Sequence, residues 1–171
     1  VTAARGATEA READWSDLDL PHGPEAGPQA RHALRTAFEE AVTEAMDAWD
    51  GPRDDQGQPS ECPIGMDAAQ DLLQDVLIVA GELVLNAVDH GRPGMLGTVR
   101  LSWRWKGGRV YLRVLDAGYD PEFADGPPGL GAPESIRGRG LFMVDAICEE
   151  WSVETDPITE TTQVTACLGI A

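Results

Sequence analysis

Glu82 and Asn86 stand four residues apart in the stretch GELVLNAVDHG, residues 81–91. On a helix, side chains at i and i+4 stack on one face, so a carboxylate and a carboxamide would project together, with His90 on the same line. A carboxylate so placed can take a proton from water or a hydroxyl, and an amide oxygen is a hard, neutral ligand for a divalent cation. The plainer account of the pair is a solvated stripe on an amphipathic helix. A second group is Asp116-Ala117-Gly118. Its carboxylate can accept a hydrogen bond from an exocyclic amine, and Gly118 lets a flat ring approach the backbone. An ordinary turn would use the same residues. The third group, Gly138-Arg139-Gly140, precedes Leu141 to Glu150. Free backbone N–H groups at a helix start make an anion site, and the glycines let the anion come close. Each group alone is weak. Together, and in this order, they offer a metal-binding amide, an amine-reading carboxylate and a phosphate cradle.

The elements that must position these groups can be read from periodicity. Trp15 to Leu20 alternates as a short edge strand and stops at Pro21. Ala30, Leu34, Ala37, Phe38, Ala41, Val42 and Met46 recur at helical steps as far as Trp49. A Pro/Gly/Asp-rich loop follows over 50–66. A second helix is expected to start with Asp67 as N-cap and Gln70 three residues on, and to end near His90 at Gly91. Val99, Leu101, Trp103 and Trp105 share one face of a strand. Gly107-Gly108 predicts a hairpin, and Val110, Leu112 and Val114 lie on the return strand. Residues 117–140 form a long Gly/Pro-rich loop. A short helix over 141–150 and two strands, 151–155 and 162–170, complete the chain. Strands joined by short turns, with helices to cover them, give an α+β two-layer sandwich: a mostly antiparallel mixed sheet covered on one face by helices. Residues 1–14 read as a flexible N-terminal arm and 15–171 as one domain.

The formal charge of −17 disfavours direct contact with nucleic acid or an anionic membrane surface and would suit a basic protein partner. Cys62, Cys148 and Cys167 are widely spaced with no C-x-x-C pair, which argues against a zinc knuckle; Cys148 and Cys167 read as small core residues. No stretch has the length of a membrane span or the apolar region of a secretory signal, so the expected location is the cytoplasm.

The conjunction of motifs resembles the histidine kinase-like ATPase superfamily, which also includes gyrase, the heat-shock ninety chaperones and mismatch-repair ATPases. Its boxes are E-x-x-x-N, D-x-G-x-G and a G-x-G that opens a helix. A narrower resemblance is to the anti-sigma-factor serine/threonine kinases of bacteria and their short actinobacterial relatives. It rests on ELVLNAVDHG, GRGLFMVDAICEEW and LPHGPEAGPQARHALR, and spans about residues 15–170. The resemblance implies the Bergerat ATPase fold, with ATP and Mg²⁺ as ligands. It assigns Mg²⁺ to Asn86, the catalytic base to Glu82, and the adenine amine to Asp116 with Gly118 flanking the ring. Gly138 and Gly140 would face the phosphates, with Arg139 beside them, and Thr162 would lie near the adenine. The partners implied are a sigma factor or an antagonist protein phosphorylated on Ser/Thr, with homodimerisation; Trp103 and Trp105 are surplus aromatics that a dimer could cover. Residues 119–137 would be the lid over ATP. Two departures stand out: Asp120 replaces the second Gly of D-x-G-x-G, and Thr161 stands where a Gly often precedes the final Thr. Both weaken the expected nucleotide site. They support the alternative of a non-catalytic binding module that sequesters a regulatory partner.

Overall fold

The computed structural model describes residues 15–47, 51, 56, 65–94, 96–106, 108–118 and 137–169. The arm 1–14, most of the 50–66 loop, Cys62, Asp120 and the expected lid up to residue 136 lie outside the described residues.

Eight elements follow one another: β1 (Ser16–Pro21), α1 (Ala26–Asp47), α2 (Met66–His90), β2 (Thr98–Lys106), β3 (Arg109–Asp116), α3 (Arg137–Ile147), β4 (Glu150–Asp156) and β5 (Thr161–Gly169). The five strands form one sheet in the order β1-β2-β3-β5-β4. All four pairings are antiparallel, so the mixed character expected of the sheet does not occur among the described strands. The β2–β3 hairpin turns at Gly108, whose φ of +75° is a left-handed conformation that glycine adopts without strain.

The period of two expected for β2 and β3 sets the layers. Val99, Leu101 and Trp103 of β2 and Val110, Leu112 and Val114 of β3 are buried on one face. Ala166 and Leu168 of β5 continue it. Helix α2 lies against this face and buries a wide stripe that includes Leu72, Val76, Val79, Leu83 and Val84. Most of the free energy that holds α2 in place comes from this stripe, at about 1.5–3 kcal/mol for each large aliphatic side chain taken out of water. Helix α1 packs beside α2 through Ala26, Ala30 and Leu34, the two alanines permitting close approach and Leu34 filling the core. Trp103 is 8% exposed within the core, and the Trp105 ring meets Phe38 of α1 at 5.4 Å between centroids. Both tryptophans are thus used inside the chain, and the dimer surface expected from them is not needed to explain them.

Three local expectations differ from the structure. Helix α2 starts at Met66 with Gly65 as N-cap and no side-chain cap, so Asp67 and Gln70 do not form a capping box. Helix α3 begins at Arg137 and ends at Ile147, which draws Gly140 into its first turn rather than leaving it ahead of the helix. Cys167 alternates with the buried Ala166 and Leu168 and so lies on the open face of the sheet, while Cys148 packs against the core.

Candidate functional site

Glu82 and Asn86 lie on the flank of the buried stripe of α2, each half-buried, one turn apart. Their neighbours Leu83 and Ala87 anchor the helix in the core, which holds the polar pair at the margin of the layer. Helix α3 packs across them. A Cβ placed on Gly140 would come within 2.5 Å of Glu82 Oε2 and 3.7 Å of Asn86 Nδ2. The absence of a side chain at 140 is therefore what lets the first turn of α3 sit against Glu82. The free N–H groups of that turn, from Arg137 to Gly140, belong to the same corner of the molecule. The Asn86 amide nitrogen is buried and has no hydrogen-bond partner among the described residues. Such an atom is costly to leave unsatisfied, so the amide is available to a ligand that enters this corner.

Asp116 occupies the last position of β3, where the sheet meets the C-terminal end of α2. It is 8% exposed. The Gly118 N–H donates to Asp116 Oδ1 at 2.5 Å, and the Arg92 backbone N–H also donates to the carboxylate. Burial outweighs these bonds and the nearby His22, and pushes the carboxyl up to about 6 from its ordinary 3.8. The Thr162 hydroxyl of β5 donates to the Gly118 carbonyl at 2.5 Å, and Thr162 sits directly opposite Asp116 in the ladder. The Asp116-Ala117-Gly118 turn is thus held from both sides: by Thr162 across the sheet, and by Arg92, whose carbonyl accepts from the Ala117 N–H.

A cavity of about 60 Å³ joins the two groups. Asn86, Asp116, Gly118 and Thr162 line it, with Leu83, Val114, Leu141 and Val164 among its apolar walls. An apolar slot with one carboxylate on its wall suits a flat heteroaromatic ring bearing an amine. At its Asn86 end the cavity meets the α3 turn. Five of the residues singled out by sequence, Asn86, Asp116, Gly118, Gly140 and Thr162, therefore converge on one place, with Glu82 beside Gly140. Gly138 lies in the same helical turn, as does the backbone of Arg139. His90, expected to cap or pack at the helix end, lines the cavity as well.

A sequence profile of the histidine kinase-like ATPase domain matches residues 21–168. The chain belongs to the histidine kinase-like ATPase family. Membership implies ATP as the nucleotide and accounts for an antiparallel sheet with helices on one face. A search of curated protein sequences returned no significant match. Among solved structures, one chain of the SiaB–SiaC complex from Pseudomonas aeruginosa aligns at 13% identity with a TM-score of 0.48, over 98% of this chain and 96% of that one.

Three residues of this ATPase domain escape a sequence reading. Gly91, expected only to end a helix, is extended (φ −80°, ψ −173°) rather than left-handed. Its importance is room: a Cβ there would lie 2.4 Å from the Ala87 carbonyl oxygen and 2.5 Å from Asp116 Cγ. Arg92 contributes backbone groups alone, so its side-chain type carries no signal. His22 acts on Asp116 from the β1–α1 turn, more than ninety positions away in sequence. The ELVLNAVDHG stretch could have pointed to Gly91, because the G that follows the helix is part of the quoted pattern; nothing local marks the other two.

Proposed function

We propose that this chain binds Mg-ATP in the α2–α3–sheet corner and transfers the terminal phosphate to a Ser or Thr hydroxyl of a regulatory protein, in the manner of the anti-sigma-factor kinases. The observation that carries this reading is the convergence of Glu82, Asn86 and the glycine-lined first turn of α3 at one end of a slot whose other end holds Asp116. The residues fit the ligands. Gly140 lets the first turn of α3 sit against Glu82, and the N–H groups at the start of α3 favour an anion. The unsatisfied Asn86 amide can present its oxygen after a simple flip and so hold Mg²⁺, which would neutralise phosphate charge. Ionised Asp116 would accept from the adenine amine, Gly118 would flank the ring, and Thr162 would keep the turn in register. Glu82 would take the proton from the attacking hydroxyl as its oxygen bonds to the terminal phosphorus and ADP departs.

A macromolecular acceptor has somewhere to sit. On the other side of Glu82 a groove of about 820 Å³ runs between α1, α2 and α3, lined by Arg31, Arg35, Ile78, Leu85 and Met143 among others. Ile78, Leu85 and Met143 are exposed apolar residues. An open groove with an apolar floor and basic rim, leading to the candidate base, suits a protein surface better than a small molecule.

The test separates binding from transfer. Glu82→Gln should retain Mg-ATP affinity in calorimetry and lose phosphotransfer to a partner co-purified from the native host. An unchanged transfer rate would remove Glu82 as the base. A wild-type protein whose melting temperature does not move with Mg-ATP would favour the alternative, a binding module that sequesters its partner without catalysis.

A further inference from the structure

The face of the sheet turned away from the helices carries a cluster that the nucleotide site does not use. Strands β2 and β3 place Arg104 and Arg113 there, on the parity opposite the buried Leu101, Trp103, Leu112 and Val114. The Arg104 guanidinium lies over the rings of Trp15 and Tyr111, 4.7 Å from each centroid, and Arg113 lies over Trp15 at 4.3 Å. The Nε atoms of both arginines are buried without a hydrogen-bond partner among the described residues. On the same face the outer arginines are neutralised, Arg100 by Asp19 and Arg109 by Glu149, while Lys106 is exposed at the end of β2. The two central ones have no carboxylate partner among the described residues.

Stacking on Trp15 and Tyr111 fixes the planar guanidiniums, so two cations whose place is set by aromatic rings can each pair with an anion brought to this face. In the ladder Arg104 faces Tyr111 and Arg113 faces Ser102, so the two arginines are diagonal neighbours. Their side chains start about 7–8 Å apart. In an extended segment, residues i and i+2 are separated by about 6.7 Å and point to the same side. An acid-x-acid stretch of extended chain therefore matches the spacing.

We infer that the open face of β2 and β3 docks an extended acidic segment of a protein partner, two carboxylates of alternate residues pairing with Arg104 and Arg113 in the Trp15–Tyr111 frame. The chain's charge of −17 opposes any anion at long range, so the local layout decides: a nucleic acid would carry a continuous run of phosphates across the flanking acids of β1 and β4, whereas a short acid-x-acid segment meets only the two arginines. A second copy is opposed by pattern. The face runs from acidic β1 (Asp17, Asp19) through basic β2 and β3 and neutral β5 to acidic β4 (Glu150, Glu154, Asp156). Centred two-fold stacking along the strands sets acid on acid, and stacking across them sets arginine on arginine.

The probe is the peptide acetyl-Gly-Glu-Thr-Glu-Thr-Glu-Gly-amide, titrated into the full chain at low salt and followed by the tryptophan indole and arginine Nε–H resonances. Saturable shifts of Trp15, Arg104 and Arg113 are expected. They should weaken at least tenfold in Arg104→Gln/Arg113→Gln, vanish when Gln replaces Glu in the peptide, and fade with added salt. The double variant should keep its Mg-ATP thermal shift, because it leaves the nucleotide corner intact. The inference is overturned if no saturable shift appears at millimolar peptide, or if the Gln peptide binds as well. It is also overturned if binding requires removal of residues 1–14, which would make that segment the occupant, or if sedimentation shows self-association that the double variant abolishes. The wild-type arms with the Glu and Gln peptides decide the matter even if the double variant fails to fold.

Discussion

Replacing Asp116 by Asn should make the nucleotide-free protein gain stability relative to wild type as pH rises. Burial raises the folded-state pKa of Asp116 from 3.8 to about 6. A raised carboxylate pKa means that the folded state resists ionisation. The stability associated with the neutral form is fully present below 3.8 and is lost as pH climbs through about 6, after which the loss is constant. A shift of about two units corresponds to about 3 kcal/mol in total. Part of this falls near the isoelectric point of about 4.3, where solubility is poor. Between pH 5 and 7.5 the remaining change is about 1 kcal/mol. Asn cannot titrate, and it keeps an oxygen for the Gly118 N–H, so its own hydrogen-bond losses enter as a constant offset. Urea unfolding of both proteins by circular dichroism, at several pH values without nucleotide, gives the difference directly. The variant-minus-wild-type stability should rise by about 1 kcal/mol over that range and flatten above about pH 6.5. A difference that is flat from pH 5 to 7.5, or that falls, would refute the account of Asp116 as a desolvated carboxylate. The same carboxyl predicts that wild-type ATP affinity falls as pH drops below about 6, because the ionised carboxylate is a much stronger acceptor for the adenine amine than the neutral carboxyl, whereas the Asn variant, with a neutral acceptor, should bind weakly at every pH.

Other substitutions test the site piece by piece. Asn86→Ala should abolish the Mg-dependent part of the ATP thermal shift, and an unchanged shift would remove Asn86 as the metal ligand. Gly140→Ala should leave the fold intact or raise stability by up to about 1 kcal/mol, from better helix propensity. Its new Cβ would push the Glu82 carboxylate aside, so phosphotransfer should fall more than tenfold while the melting temperature holds. Gly91→Ala has no such freedom, because its Cβ meets backbone; a loss of about 1–3 kcal/mol with loss of ATP binding is expected in urea unfolding. Thr162→Val keeps the shape and removes the donor to the buried Gly118 carbonyl, which should cost about 1–3 kcal/mol and weaken ATP, with Thr162→Ser restoring much of both.

The amino-acid pattern was sufficient for the elements and for most of the residues that the fold brings together at the candidate site. Alternation in 98–106 and 109–116 identifies the hairpin and its buried face, and helical spacing identifies α1 and α2, because both signals are local and repeat several times. The boxes around Glu82, Asn86, Asp116 and Gly140 are legible for the same reason: each is a few residues whose types and spacing carry the chemistry. What spacing along the chain could not decide is how these pieces touch. The start of α2 lies at Gly65 with no side-chain cap rather than at an Asp67 cap, a loss of about 1 kcal/mol that the buried stripe of the helix readily offsets. Gly91 against Asp116, Thr162 on the Gly118 carbonyl and His22 near the carboxylate are contacts between segments tens of residues apart. Only the antiparallel order β1-β2-β3-β5-β4 brings them within reach. The raised pKa of Asp116 belongs there too, since desolvation is a property of everything packed around a group and not of the residue or its neighbours in sequence.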